Sequence, residues 1–162
     1  MNASVIRIVD ANANASVCTP CGGQCCQRMP GTVFPADLDP NLRFMTIAGK
    51  AKAMLESGRY AIDWWEGSPI EGDTSLEPGY YLRPATKGNE GLWSDPGWGG
   101  ACTFHTDTGC SLSEEERPTE CKALKPVSPG KCEMPEDWEG RRTGAKAWWP
   151  YRNILRMLRD MH

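Results

Sequence analysis

The stretch Arg59-Tyr60-Ala61-Ile62-Asp63-Trp64-Trp65, read together with Gly79-Tyr80-Tyr81-Leu82-Arg83, decides the fold. Successive side chains of an extended chain point to opposite faces, so Tyr60, Ile62 and Trp64 fall on one side of a strand. The second run is short and aromatic, a composition that fits a pleated, half-buried surface. Between the two lie Gly67-Ser68-Pro69 and Glu77-Pro78-Gly79, both turn chemistry. The two strands are therefore expected to pair as a short antiparallel hairpin.

Helices are expected on both sides of this hairpin. Upstream, Asp39 fits an N-cap and Pro40 the first helical position, while Leu42, Met45, Ala48 and Leu55 recur at near-helical spacing up to Gly58. This pattern predicts a helix over about 40–57. Downstream, the segment after Pro150 places Tyr151, Ile154, Leu155, Leu158 and Met161 on one face and Arg152, Arg156 and Arg159 on the others, predicting a second helix over about 150–161. The intervening Lys87–Gly100 segment, with Trp93 and Trp98, reads as a long loop. Ser113-Glu114-Glu115-Glu116 is a capping-box pattern that predicts one helical turn stopped near Pro118. No internal repeat, low-complexity tract or heptad run interrupts this order.

The expected fold class is therefore α+β: a small, loop-rich single domain over residues 1–162, with two main helices and one hairpin. A chain of 162 residues suits one core, and seventeen glycines and thirteen prolines keep its regular elements short. Seven tryptophans lead to the expectation that aromatic burial dominates that core. A formal charge of −3 and a pI near 5.4 give no general attraction to nucleic acid or anionic membranes, so neither is an expected partner and an unidentified protein remains the open one. The N-terminal Val5-Ile6 and Ile8-Val9 are split by Arg7 and closed by Asp10, which is not a signal-peptide core, and no transmembrane stretch is seen. A cytoplasmic location is expected, where thiols stay reduced.

Eight cysteines then carry the chemistry. Cys18, Cys21, Cys25 and Cys26 form one group; Cys102, Cys110, Cys121 and Cys132 form another. Cys18-Thr19-Pro20-Cys21 has the spacing that presents two thiolates to one tetrahedral ion. Adjacent side chains usually diverge, so Cys25 and Cys26 share an ion only if the backbone turns tightly, for which Gly22-Gly23 supplies the freedom. A metal site, a disulfide framework and unrelated free thiols compete, and compartment and spacing favour the metal.

Cys18-x2-Cys21-x3-Cys25-Cys26, followed by Gly100-Ala101-Cys102-Thr103-Phe104, Gly109-Cys110-Ser111-Leu112 and Arg117-Pro118-Thr119-Glu120-Cys121, resembles the YkgJ-type cysteine-cluster family, the CxxCxxCC zinc- or iron-chelating domain. The resemblance runs from Cys18 to Cys132. It implies that all eight cysteines are candidate metal ligands, with Zn2+ preferred and iron, as an Fe–S cluster, the alternative. One departure is that three residues separate Cys21 from the double cysteine where the family name implies two, which leaves open whether Cys25 or Cys26 is the ligand. Flagellin lysine N-methylases carry a similar cluster, so the resemblance also raises an iron–sulfur enzyme of methyl or electron transfer. The preferred expectation is a largely structural metal in a scaffold or interaction module, with no catalytic residue assigned. Shared coordination between the two groups would close a long loop and staple the fold.

The remaining candidates carry competing readings. His105, between Cys102 and Cys110, is a ligand, a proton shuttle or a polar residue at a strand end; His162 is terminal. Arg117 is positioned either to neutralise a tetrathiolate site or to pair with Glu114, Glu115 or Glu116. Asp63 with Trp64-Trp65, and Arg83 after Tyr80-Tyr81, form either the rim of an aromatic pocket or core and strand edge. Arg141-Arg142, Lys146 and the helix arginines form a basic C-terminal end that reads as a solvated face or, less simply, as a contact for an acidic partner.

Overall fold

A computed structural model describes residues 22–96, 99–123, 125–128, 131–133 and 137–162; for 125–128, 131–133, 137 and 138 it describes the backbone alone. The hairpin is at its centre. Strand β1 (Tyr60–Trp65) pairs antiparallel with β2 (Gly79–Pro84), in register from Tyr60 opposite Pro84 to Trp65 opposite Gly79. Two flanking segments widen this pair. Val33 bridges to Leu82 along the outer edge of β2, and Ser94 bridges to Ile62 along the outer edge of β1. The expected loop over 87–100 is therefore attached to the sheet, through Ser94 at Ile62 and through Asp95 at Arg83.

Three long helices cover the hairpin. Helix α1 (Gln24–Arg28) and helix α2 (Pro35–Leu38) are single turns, and α3 (Phe44–Glu56) is the first long one. It buries Ile47, Ala51 and Leu55, spaced four residues apart on one stripe. Its start corrects the expected boundary. The Asp39 carboxylate accepts the backbone N–H groups of Asn41 and Arg43 at 3.1 Å each, and Leu42 adopts a left-handed φ of 55°. Asp39 thus caps a tight turn over Pro40–Leu42, and the left-handed Leu42 keeps the helix from beginning before Phe44.

Toward the other end come the hairpin β3 (His105–Thr106) with β4 (Gly109–Cys110), the turn α4 (Thr119–Lys122), and the pair β5 (Lys125–Ser128) with β6 (Lys131–Glu133). The Ser113–Glu116 box is present. The Ser113 N–H is 3.0 Å from the Glu116 carboxylate, and the Arg117 N–H reaches the Ser113 carbonyl at 3.2 Å, closing one turn before Pro118. Helix α5 (Asp137–Trp148) was not expected, and a short 3-10 turn (Trp149–Tyr151) joins it to α6 (Arg152–Asp160). Helix α6 buries Ile154, Leu155 and Leu158 as the sequence predicts, while Met161 stays exposed.

Helix α5 approaches the hairpin closely because small residues face it. A Cβ on Gly79 would lie 2.9 Å from the Ala145 Cβ, and one on Gly144 would lie 2.7 Å from the Thr32 Cγ2. Trp148 follows on this face, fully buried, and its indole N–H donates to the Val33 carbonyl at 2.7 Å. Among the described residues, aromatic rings do not dominate the core. Alongside Trp148, Tyr80, Tyr81 and Phe104, the buried set is mainly Val33, Leu38, Ile47, Leu55, Ile62, Leu82, Ile154, Leu155 and Leu158. Trp64, Trp65 and Trp93 only border it, since a large amphipathic ring is readily left with one edge in water.

Asp63 and Arg83 are inside the protein, not on a pocket rim, at 0% and 1% exposure. Arg83 Nε donates to Asp63 Oδ2 at 2.9 Å, and its Nη2 faces Asp95 Oδ2 at 3.1 Å. The cross-strand register explains the meeting: Arg83 pairs with Ala61, so Asp63 is its diagonal neighbour on the same face. The basic C-terminal end is likewise tied down. Arg141 donates to the Tyr81 hydroxyl, Arg142 to the Pro69 carbonyl, and Arg152 and Arg156 flank Glu77. Among the described residues no helix is long and apolar enough to cross a membrane.

Candidate metal centre

The two cysteine groups, distant in sequence, are joined by backbone. Gly22 and Gly23 both take left-handed φ values, 67° and 69°, and deliver the chain into α1, which carries Cys25 and Cys26. Segment 100–105 is bound to this turn in three places. Gly100 N–H donates to the Arg28 carbonyl at 2.8 Å, Cys102 N–H to the Cys26 carbonyl at 2.7 Å, and His105 Nε2 lies 2.9 Å from the Gly22 carbonyl. On its other side the segment is pinned to the end of the central hairpin. Thr86 bridges to Cys102, and Thr103 N–H donates to the Ala85 carbonyl at 2.9 Å.

The Arg-Pro-x-x-Cys element is docked on residues 31–37. Thr119 donates its N–H and its hydroxyl to Asp37, and the Thr32 N–H donates to the Glu120 carboxylate. This seats the Cys121 sulfur against Gly31, where a Cβ would come within 2.5 Å of it. Arg117 donates Nε to the Leu112 carbonyl at 3.2 Å, which fixes the loop before the turn. No motif in the sequence signalled this close approach of Gly31 to the Cys121 sulfur.

Cys25, Cys26, Cys102, Cys110 and Cys121 are all free thiols, with Cys102 buried and the other four half-buried. Their electrostatics are mutual. Burial pushes the Cys102 thiol up to about 11, with the Cys110 sulfur adding to the shift. Burial also drives Cys121 well above the ordinary thiol value, followed by the negative charges of Glu120, Cys102, Cys25 and Cys110. Within the adjacent pair, the hydrogen bond from Cys26 lowers Cys25, and the same bond, with burial and the Cys25 charge, raises Cys26. Across the two sequence groups, Cys26 thus lies in the field of Cys121 and Cys102, and Cys121 in that of Cys25. A nearby ring shares it: burial and then the Cys102 charge push the Tyr60 hydroxyl up to about 12.

The donor set suits a thiophilic ion. Cys25 Sγ and Cys26 Sγ are 3.9 Å apart. Two Zn–S bonds of about 2.3 Å at a tetrahedral angle place their sulfurs about 3.8 Å apart, so the tight turn brings even adjacent cysteines to a ligand-like separation. Among the described residues no three His, Cys, Asp or Glu side chains are grouped to hold one ion. Cys18 and Cys21 lie outside the described residues, and Cys132 is placed by its backbone alone, in β6. His105 stands in β3 opposite Cys110, its ring against Gly22 and Gly23.

Fold and site together define a small α+β protein in which free cysteines from two distant segments are tied together by backbone beside the end of the central hairpin. Comparisons with protein-family models, with curated proteins and with solved structures found no match to the chain.

Proposed function

We propose that this chain is a metal-binding cysteine-cluster protein of the YkgJ type, whose ion, zinc in preference to iron, is held by thiolates from both sequence groups and serves to staple the fold. The observation that supports this reading is the backbone tie between the two sequence groups, the 2.7 Å hydrogen bond from Cys102 N–H to the Cys26 carbonyl, beside a Cys25–Cys26 sulfur pair 3.9 Å apart. Burial disfavours the charged forms of Cys102 and Cys121; a bound cation reverses that, because it stabilises thiolates and displaces their protons. Cys25, Cys26, Cys102, Cys110 and Cys121 would supply ligands from the described region, with Cys18, Cys21 and Cys132 completing the donor set. The metal's contribution, when bound, is charge neutralisation and cross-linking of segments 18–26 and 102–132. A protein so stapled acts as a scaffold or interaction module, and the cytoplasm is where its thiols would remain available.

Anaerobic purification followed by elemental analysis and a visible spectrum tests this reading. A colourless protein with stoichiometric zinc supports it. A brown protein with iron and acid-labile sulfide favours the iron–sulfur enzyme of methyl or electron transfer instead. A protein free of both metals overturns it.

A further inference from the structure

We propose that His105 is a positioning residue for the thiol cluster: its ring clasps the Gly22 carbonyl and thereby holds the Cys25–Cys26 turn in the shape that receives the ion. The inference rests on the metal reading above and adds a residue to it. A carbonyl oxygen can only accept, so the 2.9 Å contact between His105 Nε2 and Gly22 O requires the hydrogen on Nε2. The side-chain amide of Gln27, 3.5 Å from the same nitrogen, then turns its oxygen toward the ring, an orientation the hydrogen-bond network decides.

The clasp is fitted to its partners. A Cβ on Gly23 would lie 3.2 Å from His105 Cδ2 and 3.3 Å from Gly109 Cα, so the ring lies against this turn only because Gly23 has no side chain. The Gly22–Gly23 left-handed pair aims the carbonyl at the ring. At the other end of the turn, the Cys26 carbonyl is held by Cys102 N–H at 2.7 Å. Cys25 and Cys26 therefore sit between two fixed points, with their sulfurs 3.9 Å apart. Without His105 one of these points is lost, and the turn must be ordered at the moment of binding. Groups that orient metal ligands in this way typically contribute about 10–100-fold in affinity.

The test is competition of the full-length, reduced chain against a chromophoric chelator for Zn2+ and for Co2+, with His105→Ala, His105→Gln and Gly23→Ala. His105→Ala and Gly23→Ala are expected to weaken both ions by about 10–100-fold. His105→Gln, whose amide N–H reaches a similar point, is expected to restore most of the affinity. At saturation the Co2+ absorption bands should keep their wild-type positions in every variant, because the ligand set is unchanged. Band shifts in both His105 variants would make His105 a ligand and overturn the positioning role. Affinities within about twofold of wild type would overturn it too, as would a His105→Gln variant as weak as His105→Ala. A wild-type chain that binds neither ion removes the metal reading itself, a different failure.

Discussion

Replacing Arg83 with Met removes the cation from the interior while keeping the volume of its stem. Arg83 is 1% exposed and its donors serve four groups. Nε reaches Asp63 Oδ2 at 2.9 Å, Nη1 reaches the Pro84 carbonyl at 2.9 Å and Thr86 Oγ1 at 3.3 Å, and Nη2 reaches the Asp95 carbonyl at 2.9 Å. The variant leaves Asp63 and Asp95, at 0% and 3% exposure, without their principal counter-charge. Removing one member of a buried pair costs about 3–5 kcal/mol, most of it from the charge left behind. Two contacts moderate this: Trp64 N–H donates to Asp63 Oδ1 at 2.7 Å, and Arg141 Nη2 stands 3.8 Å from the same oxygen. The expectation is therefore the lower end, about 3 kcal/mol, or a fall in Tm of about 6–12 °C for a chain of this size. Urea unfolding followed by tryptophan fluorescence measures it. Because Thr86 also bridges to Cys102, mass-spectrometric alkylation should find Cys102 labelled faster in the variant. A loss below about 1 kcal/mol with unchanged Cys102 labelling would refute the claim that this cation organises the sheet end beside the cluster.

Three further outcomes follow from the same contacts. Trp148→Ala should cost about 3–5 kcal/mol by urea unfolding, since a fully buried indole and its bond to the Val33 carbonyl are both lost. Gly31→Ala forces a methyl to within 2.5 Å of the Cys121 sulfur, so zinc binding by chelator competition should weaken while the Cys25–Cys26 pair is untouched. The hydrogen bond from the Arg43 side chain, against the opposing effect of burial, holds the Asp39 carboxyl down at about 2, below its unfolded value of about 3.9. That stabilisation is complete above about pH 4 and is lost as the pH falls toward 2, so acid unfolding curves of Asp39→Asn should be flatter than wild type across that window.

The hairpin was legible because its signals are local: a period-two run, turn residues and a second aromatic run. Helix α6 was legible for the same reason, through the spacing of Ile154, Leu155 and Leu158. Helix α5 was hidden, because Asp137–Trp148 contains Gly140 and Gly144 and lacks an apolar stripe. Its glycine at 144 serves a close approach to Thr32, a requirement set by a distant segment. The start of α3 was misplaced because Asp39-Pro40 is equally good chemistry for a turn, and only the left-handed Leu42 separates the two. In the candidate centre, the cysteines were named by spacing, but their supports were not. His105 acts on a backbone carbonyl 83 residues away, and Gly31 matters only through the sulfur above it. Neither relation leaves a periodic or motif signal.

The most direct test of the stapled cluster is to measure metal content and far-UV circular dichroism on the anaerobically purified chain, before and after a strong chelator. The account predicts at least one zinc, or iron, per chain, and loss of ordered secondary structure when it is removed. A metal-free chain with eight titratable thiols and an unchanged spectrum after chelation would contradict it.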